Sequence, residues 1–214
     1  MRFELFEKLP KDKRERILST GIRAFSEKPY REVSTDAITR ECRISKGILF
    51  HYFGSKKAFY LYCLAQAMSR LTEKTEEAEG GTFYEILFSE MERKTEQCRK
   101  YRDEMRMVNM AGRDASLEIQ EEKNAVFRNY AALMHAESFR VIERALKTMN
   151  LNFAGDQKIL TEGMYLYVHA LISRYLKQYQ SDPDAFFAKE NSIRKEMKQY
   201  LDLFLYGIME RMNA

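Results

Sequence analysis

A short stretch around Ser45 groups side chains that suit contacts with a nucleic acid. Ser45 and Lys46 precede Gly47, and His51 and Tyr52 follow within two helical turns. A hydroxyl, an ammonium group and the free N–H groups at a helix N-terminus all bind phosphate oxygens. A lysine also reaches the edge of a guanine, and glycine lets a backbone approach closely. These residue types indicate a helix whose N-terminal end enters a DNA groove.

Two helical signals separated by a short break would position these groups. Ser34 or Thr35 can cap a first helix and Ser45 a second one that runs to Phe53, because a hydroxyl accepts a hydrogen bond from a free backbone N–H. This arrangement predicts a helix-turn-helix, which places its second helix in the major groove of DNA. The predicted DNA-contacting residues are Ser34, Thr35, Arg43, Ser45, Lys46, Gly47, Ile48, Phe50, His51, Tyr52 and Lys56.

Not every side chain of the second helix can face DNA. Ile48 offers a methyl surface to thymine, and His51 and Tyr52 are placed for contacts with the backbone and base edges. Phe50 and Tyr52 could instead be core residues, and His51 only a solvated polar side chain. The positions expected to face inward are Ile44, Leu49 and Phe53.

The segment S-K-G-I-L-F-H-Y-F at 45–53, followed by S-K-K at 55–57, resembles the recognition helix of the TetR (tetracycline-repressor) family of bacterial transcriptional regulators. The usual family pattern is close to S-K-G-T-L-Y-H-Y-F-x-S-K-E. The resemblance extends back through I-L-S-T-G-I-R-A-F at 17–25 and Tyr30, so it covers roughly the first 60 residues. It implies a dimer formed by the last two helices and a small-molecule ligand held in the body of each subunit.

Three departures from the family pattern bear on DNA recognition. Phe50 stands where tyrosine is common and lacks its hydroxyl, and Ile48 stands where threonine is common and removes one hydrogen bond. Arg43 replaces the glycine usual in the turn, so it either adopts an unusual backbone angle at some cost or adds a phosphate contact. These changes leave the operator sequence and affinity open.

The composition favours a helical globular protein with a basic N-terminal end. The chain has 214 residues, 45% of them hydrophobic and 32% charged, with nine glycines and three prolines. Residues 1–57 hold 14 basic and 8 acidic side chains, whereas the remainder holds 22 basic and 24 acidic ones. A basic segment joined to a nearly neutral body suits a protein that meets a polyanion at one end.

Other classes of site find little support. The three cysteines, Cys42, Cys63 and Cys98, fit no metal spacing or disulfide framework, so reduced thiols and no metal or other cofactor are expected. Residues 1–10 do not resemble a signal peptide, and no run reaches the ~18 apolar residues of a membrane span. A cytoplasmic protein with no membrane contact is therefore expected.

The predicted fold is all-α, with two domains. Residues 1–55 would form a three-helix DNA-binding domain, beginning with a helix from Lys11 to Lys28, and residues 56–214 a helical effector-binding and dimerisation domain. A lever helix over about 56–79 would join them and end at the linker Gly80-Gly81. Further helices are predicted at 82–101, 103–112, 116–149, 156–179 and 183–212.

The last two helices carry more apolar surface than one packed face uses, which favours a homodimer over simple packing on the body. The predicted interface residues are Leu171, Tyr175, Met197, Leu201, Phe204 and Ile208. Soft and aromatic side chains before them suit a pocket for a small apolar or aromatic effector, although residues of this kind belong to a core more often than to a pocket. The predicted pocket comprises Met110, Phe127, Tyr130, Met134, Met164, Tyr167 and His169.

Two functional hypotheses follow. The first is a homodimeric repressor that binds a pseudo-palindromic double-stranded operator and is released when an effector shifts the lever helix. The second is an architectural or partner-regulated DNA-binding protein without a small ligand. An enzyme is not expected, because the sequence lacks a nucleophile–base set, paired carboxylates and a glycine-rich phosphate loop.

Overall fold

The computed structural model describes residues 3–73, 80–151, 155–179 and 183–207, apart from the side chains of 183 and 184. Within these ranges every regular element is helical and no strand occurs, which confirms the all-α prediction. The α-helices are α1 (Glu4–Glu7), α2 (Lys11–Glu27), α3 (Thr35–Glu41), α4 (Lys46–Phe53), α5 (Lys56–Leu71), α6 (Phe83–Lys100), α7 (Arg102–Arg113), α8 (Gln120–Lys147), α9 (Gln157–Gln178), α10 (Pro183–Ala188) and α11 (Glu190–Tyr206). None of the described helices has the length and apolar character needed to cross a membrane.

Serine residues cap three successive helices near the N-terminus. The side-chain oxygens of Ser34, Ser45 and Ser55 each accept a hydrogen bond from the backbone N–H three residues later, at 3.1–3.3 Å. Each cap pairs one of the N–H groups that a helix start leaves without a partner. The first two caps agree with the sequence prediction. The third follows Gly54, whose φ of +77° makes the sharp turn between α4 and α5.

The described residues form two compact units. The first contains the described residues up to Glu73 together with Glu96–Met134, and the second contains those of 80–95 and 135–207. Helices α6 and α8 contribute residues to both units. The functional division into residues 1–55 and 56–214 remains a prediction.

An aromatic core lies beneath α4 in the first unit. The ring of Phe53 lies 4.8 Å from that of Phe6 and 4.7 Å from that of Phe59, measured between centroids. Phe6 belongs to α1, a single turn that the sequence pattern did not predict, and it is fully buried. Burial of a phenylalanine contributes about 2 kcal/mol, so this short helix is held by its side chain and not by helix propensity.

An ion-pair group fixes α5 against its neighbours in the same unit. The guanidinium of Arg70 donates to Glu104 on α7 at 2.8 Å and to Glu15 on α2. The side-chain amide of Gln97 donates to the carbonyl of Arg70 at 2.9 Å. These contacts connect α2, α6 and α7 to the C-terminal end of α5.

The core of the second unit is built from α6, α8, α9 and α11. Phe83, Val141 and Met164 are buried in one cluster with Leu201. A neighbouring cluster contains Met197 on α11 and the buried residues Leu171, Tyr175 and Ile193. Each of these helices therefore buries one apolar face in the core of the second unit.

Three predicted helix boundaries are wrong. The helix predicted over 56–79 ends at Leu71, where the Thr72 hydroxyl donates to the carbonyl of Met68 at 2.8 Å and so competes with helix continuation. The helix predicted from Ser116 begins with a 3₁₀ turn, and α8 proper starts at Gln120. The last predicted helix is divided at Lys189 into α10 and α11. Residues 74–79 and 208–212 of the predicted helices lie outside the described residues.

The close approach of α2 and α5 predicts that Gly21→Ala is destabilising. A Cβ at Gly21 would lie 2.5 Å from Phe59 Cζ and 2.8 Å from Cys63 Sγ. We expect the variant to lose about 1–3 kcal/mol of unfolding free energy in urea denaturation, as overpacked cores do. Gly112→Ala is the control, because its Cβ would meet no atom within 4 Å. Equal stability of Gly21→Ala and the unmodified protein would show that these helices are not packed as described.

Candidate nucleic-acid interface

The turn between α3 and α4 depends on Arg43. Its φ is +56°, in the left-handed region. Its N–H donates to the carbonyl of Arg40 at 3.1 Å, and the N–H of Ile44 donates to that of Thr39 at 3.0 Å. This is the Schellman arrangement, in which glycine is usual. Of the two roles expected for Arg43, the unusual backbone angle is therefore present, at a cost of about 1–2 kcal/mol.

Cys42, the residue before Arg43 in this turn, is fully buried. Burial raises the pKa of its thiol, against smaller opposing effects from Thr20 and nearby arginines. The thiol therefore stays protonated, and Cys42 acts as a small core residue.

One face of α4 is exposed and the other is fully buried. Leu49 and Phe53 have almost no exposed surface, as predicted, and Ile44 is half-buried. The exposed predicted contacts lie at the start of α3, in the turn and along the exposed side of α4. They are Ser34, Arg43, Ser45, Lys46, Gly47, Ile48 and His51.

The other predicted contacts are not freely exposed. Thr35 is buried, and Phe50, Tyr52 and Lys56 are half-buried. The ring of Tyr52 packs edge-on against Phe6, with centroids 5.9 Å apart, and borders the aromatic core. The alternative interpretation of Tyr52 as a core residue therefore holds for its ring.

Lys46 has an intramolecular partner that the sequence did not reveal. Its Nζ lies 3.0 Å from Asp36 Oδ2 on α3, and both side chains are about half exposed. An exposed pair of this kind contributes less than about 1 kcal/mol. Asp36 therefore holds the Lys46 ammonium only weakly.

Lys56 is held more firmly than Lys46. Its Nζ lies 4.6 Å from the ring centroid of Tyr30 and donates to the carbonyl of Arg31 at 3.3 Å. Burial lowers the pKa of Lys56, and the charge of Glu118 opposes this. The predicted phosphate contact by Lys56 must therefore use its remaining N–H donors.

The segment leading into α3 is fixed by a buried carboxylate. Asp114 Oδ2 accepts the backbone N–H of Tyr30 at 2.6 Å, and Oδ1 accepts that of Ser116 at 2.9 Å. The ammonium of Lys123 donates to the carbonyl of Asp114. Burial raises the pKa of Asp114, but hydrogen bonds from Ser116 and Tyr30 and the charge of Lys123 outweigh it, so the pKa is lowered overall.

Comparison with known proteins agrees with this geometry. A family model described as bacterial regulatory proteins of the tetR family matches residues 17–63, which contain α3, α4 and much of the aromatic core. A TetR family transcriptional regulator from Chloroflexus aurantiacus has the same fold, with a TM-score of 0.58 at 19% identity over 97% of this chain and 98% of that one. Residues 17–63 are therefore similar to the tetR family of bacterial regulatory proteins, and the chain shares the fold of this solved regulator.

Further similar proteins are also named as transcriptional regulators. A TetR-like regulator from Rhodococcus sp. RHA1 has a TM-score of 0.56 at 17% identity over 94% of this chain and all of that one. The uncharacterized HTH-type transcriptional regulators YerO and YuxN of Bacillus subtilis (strain 168) are 31% identical over 96 residues and 41% identical over 54 residues. The matches cover 43% and 25% of this chain, but only 33% and 19% of those two proteins.

The predicted pocket residues are divided between the two compact units. Met110, Phe127, Tyr130 and Met134 belong to the first unit, and Met164, Tyr167 and His169 belong to the second. Met164 is fully buried in the core, the Tyr167 hydroxyl donates to the carbonyl of Tyr200 at 3.0 Å, and His169 is exposed. Of the seven, only Phe127 lines either of two cavities that the structure describes, with volumes of about 370 and 550 Å³.

Metal binding finds no support in the described part of the chain. There, no three His, Cys, Asp or Glu side chains lie close enough to share an ion. The ring of His135 packs edge-on against that of Tyr165, with centroids 4.4 Å apart.

The hydrogen bonds of Asp114 predict that Asp114→Asn is destabilising and that the effect depends on pH. The amide leaves one backbone N–H without its acceptor, which costs about 1–3 kcal/mol of unfolding free energy at pH 7. Because the pKa of Asp114 in the folded protein lies below its unfolded value, near 3.9, its contribution is complete above about pH 5 and is lost as the pH falls through the folded pKa. Urea denaturation at several pH values should show the difference from the unmodified protein narrowing in acid.

Asp103→Asn is the matched control, since Asp103 is partly exposed and lies 3.9 Å from Arg106 in a surface pair. Its effect should stay within about 0.5 kcal/mol. A difference for Asp114→Asn that is constant from neutral to acidic pH would contradict the role given to the carboxylate.

Proposed function

We propose that this protein is a homodimeric transcriptional repressor that binds a pseudo-palindromic DNA operator. The observation that supports this most directly is the exposed N-terminal end of α4. There a basic side chain, a glycine and a methyl surface lie together on a helix whose opposite face is buried. This combination matches the needs of major-groove recognition, in which helix N-termini and lysines meet phosphates and base edges. Such a protein works in the cytoplasm, where bacterial DNA lies.

The individual contacts divide into two classes. The hydroxyls of Ser34 and Ser45 accept backbone N–H groups as caps, which leaves the hydroxyl protons free to donate to phosphate. Lys46 and Ile48 are the residues proposed to meet base edges, and His51 follows about one turn later on the same helix. The missing hydroxyl at Phe50 reduces phosphate contacts, so more of the specificity rests on Lys46 and Ile48.

Dimerisation is proposed through α9 and α11, but by a surface that differs from the predicted one. Leu171, Tyr175, Met197 and Leu201 are buried within the protomer, so their side chains have little surface left for a partner. Phe204 is 39% exposed and keeps its proposed role, and Ile208 lies outside the described residues. The exposed apolar residues on these helices are Ile159, Leu166, Leu176, Leu203, Phe204 and Tyr206.

This number of exposed apolar side chains favours an interface, because monomeric proteins rarely leave so many large apolar side chains in water along two helices. A two-fold dimer would present two copies of α4 to successive major grooves, which requires half-sites about one helical turn apart or a multiple of it.

Release by an effector is proposed as the regulatory step. A DNA-binding protein controlled by a partner and without a ligand is the alternative.

DNA recognition by α4 predicts that Lys46→Ala weakens operator binding. A duplex is first selected from a random-sequence pool by the unmodified protein, and its affinity is then measured by fluorescence anisotropy. We expect a loss of about 1–3 kcal/mol, or roughly 5- to 150-fold, with unchanged thermal stability. Lys147→Ala is the control, because Lys147 lies on the surface of α8 and pairs with Glu143 one turn earlier. Failure to select any duplex, or equal affinity for both variants, would contradict the proposal.

The proposed dimer surface predicts that Leu166→Glu produces a monomer. A carboxylate placed in an apolar interface is costly to desolvate, so the dimer should dissociate in light scattering coupled to size exclusion. Leu133→Glu on α8 is the matched control, since Leu133 is 66% exposed and Leu166 59%. If both variants remain dimers, or if both dimers dissociate equally, the dimer interface does not lie at Leu166.

A further inference from the structure

A carboxylate lies beside the lysine of α4 that is proposed to meet base edges. Asp36 Oδ2 is 3.0 Å from Lys46 Nζ, and the two side chains are 61% and 48% exposed. Asp36 belongs to the first turn of α3, and Lys46 is the first residue of α4. The candidate interface therefore presents an acid and a base together, and both remain accessible to another molecule.

The position of this acid is unfavourable for a surface that contacts only phosphates. A carboxylate repels the DNA backbone and opposes the attraction exerted by the lysine. Glu41, the other acid of α3, pairs with Arg23 on α2, whereas Asp36 pairs with a residue of α4 itself. The charge of Asp36 thus lies beside the group proposed to read bases, where a hydrogen-bond donor on a base can offset the repulsion.

Together the two side chains match the major-groove edge of one G·C base pair. Guanine presents the acceptors O6 and N7 there, and cytosine presents the N4 donor. Guanine O6 and cytosine N4 share a hydrogen bond, so they lie about 2.9 Å apart, close to the distance between Asp36 Oδ2 and Lys46 Nζ. Lysine has three donors and a carboxylate accepts at about four sites. Both groups can therefore bind the base pair and keep the contact between them.

The other base pairs fit these two groups less well in the same orientation. An A·T pair places adenine N6, a donor, against the ammonium and thymine O4, an acceptor, against the carboxylate. A C·G pair likewise places a donor against the ammonium and an acceptor against the carboxylate. A T·A pair keeps one contact of each kind and replaces guanine N7 by the thymine methyl group. Discrimination is therefore expected to be strongest against A·T and C·G.

We propose that Asp36 is a specificity-determining residue that reads one G·C base pair of each half-site together with Lys46. The Lys46 ammonium donates to guanine O6 and N7, and the Asp36 carboxylate accepts the groove-facing N4–H of cytosine. The same carboxylate lowers affinity for DNA of unrelated sequence, so it increases selectivity in two ways. The inference rests on the proposed function, because it requires α4 to lie in the major groove.

Selection from a random-sequence duplex pool tests which base pair depends on Asp36. The full-length unmodified protein is compared with Lys46→Ala, Asp36→Ala and Glu41→Gln. The matched control is Glu41→Gln, which removes the same charge from α3 at a side chain of similar exposure, 52%. We expect the unmodified protein and the control to select G·C at one position of each half-site, and both other variants to lose that preference. Asp36→Ala that keeps every preference, or loses one at a different position from Lys46→Ala, would overturn the proposal.

Fluorescence anisotropy with a modified duplex tests the contact with cytosine directly. N4-methylcytosine replaces the groove-facing N4–H by a methyl group and leaves guanine unchanged. It should weaken binding by the unmodified protein about fivefold or more and leave binding by Asp36→Ala unchanged. A carboxylate that only stabilises α3 or positions Lys46 predicts no change with this base. Equal affinity of the unmodified protein for both duplexes would therefore overturn the proposal without any variant.

Substitution of the base pair and of the surrounding sequence separates base readout from charge. Replacing the selected G·C by A·T should weaken binding by the unmodified protein about 5- to 150-fold, and by Asp36→Ala clearly less. On a duplex of unrelated sequence, Asp36→Ala should instead bind about threefold more tightly at low salt, because one negative charge near the phosphates is removed. Equal discrimination between G·C and A·T by both proteins would contradict base readout by Asp36.

Asp36→Asn provides a second variant if Asp36→Ala fails to fold in thermal denaturation. Its amide oxygen still accepts a hydrogen bond but carries no charge, so the loss of affinity for N4-methylcytosine should be reduced and not abolished. A protein that selects no duplex would overturn the proposed function together with this inference. A selected duplex in whose recognition Asp36 has no part would overturn this inference alone.

Discussion

The packing of α4 on an aromatic core is the constraint on which the rest of the candidate interface depends. Leu49 and Phe53 are buried, and Phe53 lies against Phe59. Rotating α4 about its axis would expose both side chains, at about 2 kcal/mol each. No single exposed contact on the opposite face is worth as much. The outward direction of Lys46 and His51 is therefore a consequence of what lies beneath the helix.

Two kinds of polar contact surround this helix, and they differ in how readily they exchange. The pair between Lys46 and Asp36 is exposed, so a phosphate or base edge can replace Asp36 at little cost. The bonds of Asp114 are buried, and breaking one leaves an unpaired group away from water. Exposed ion pairs such as that of Lys46 suit contacts that form and break with each binding event. Buried hydrogen bonds such as those of Asp114 change only when a new interaction of comparable free energy replaces them.

Methionine and aromatic side chains do not by themselves mark a ligand pocket in this chain. Met164 and Met197 are fully buried in the second unit, where they fill the core. The cavity of about 370 Å³ that Phe127 lines was harder to foresee, because its residues come from a helix end, a turn and the next helix start. A flexible, unbranched side chain packs equally well in a core and in a pocket. Only the arrangement of its neighbours distinguishes the two.

The sequence by itself determined the all-α fold, the helix-turn-helix, its serine caps and the inward face of α4. These features depend on helical periodicity and on hydrogen bonds between residues three or four positions apart, so they can be read from a short window. Only the tertiary structure decided that α1 forms around Phe6, that Asp36 faces Lys46, and which leucines of α9 are core and which are exposed. It alone also brought Asp114 to Tyr30, 84 positions earlier. Contacts between distant segments depend on how whole helices pack, and no local pattern encodes that packing.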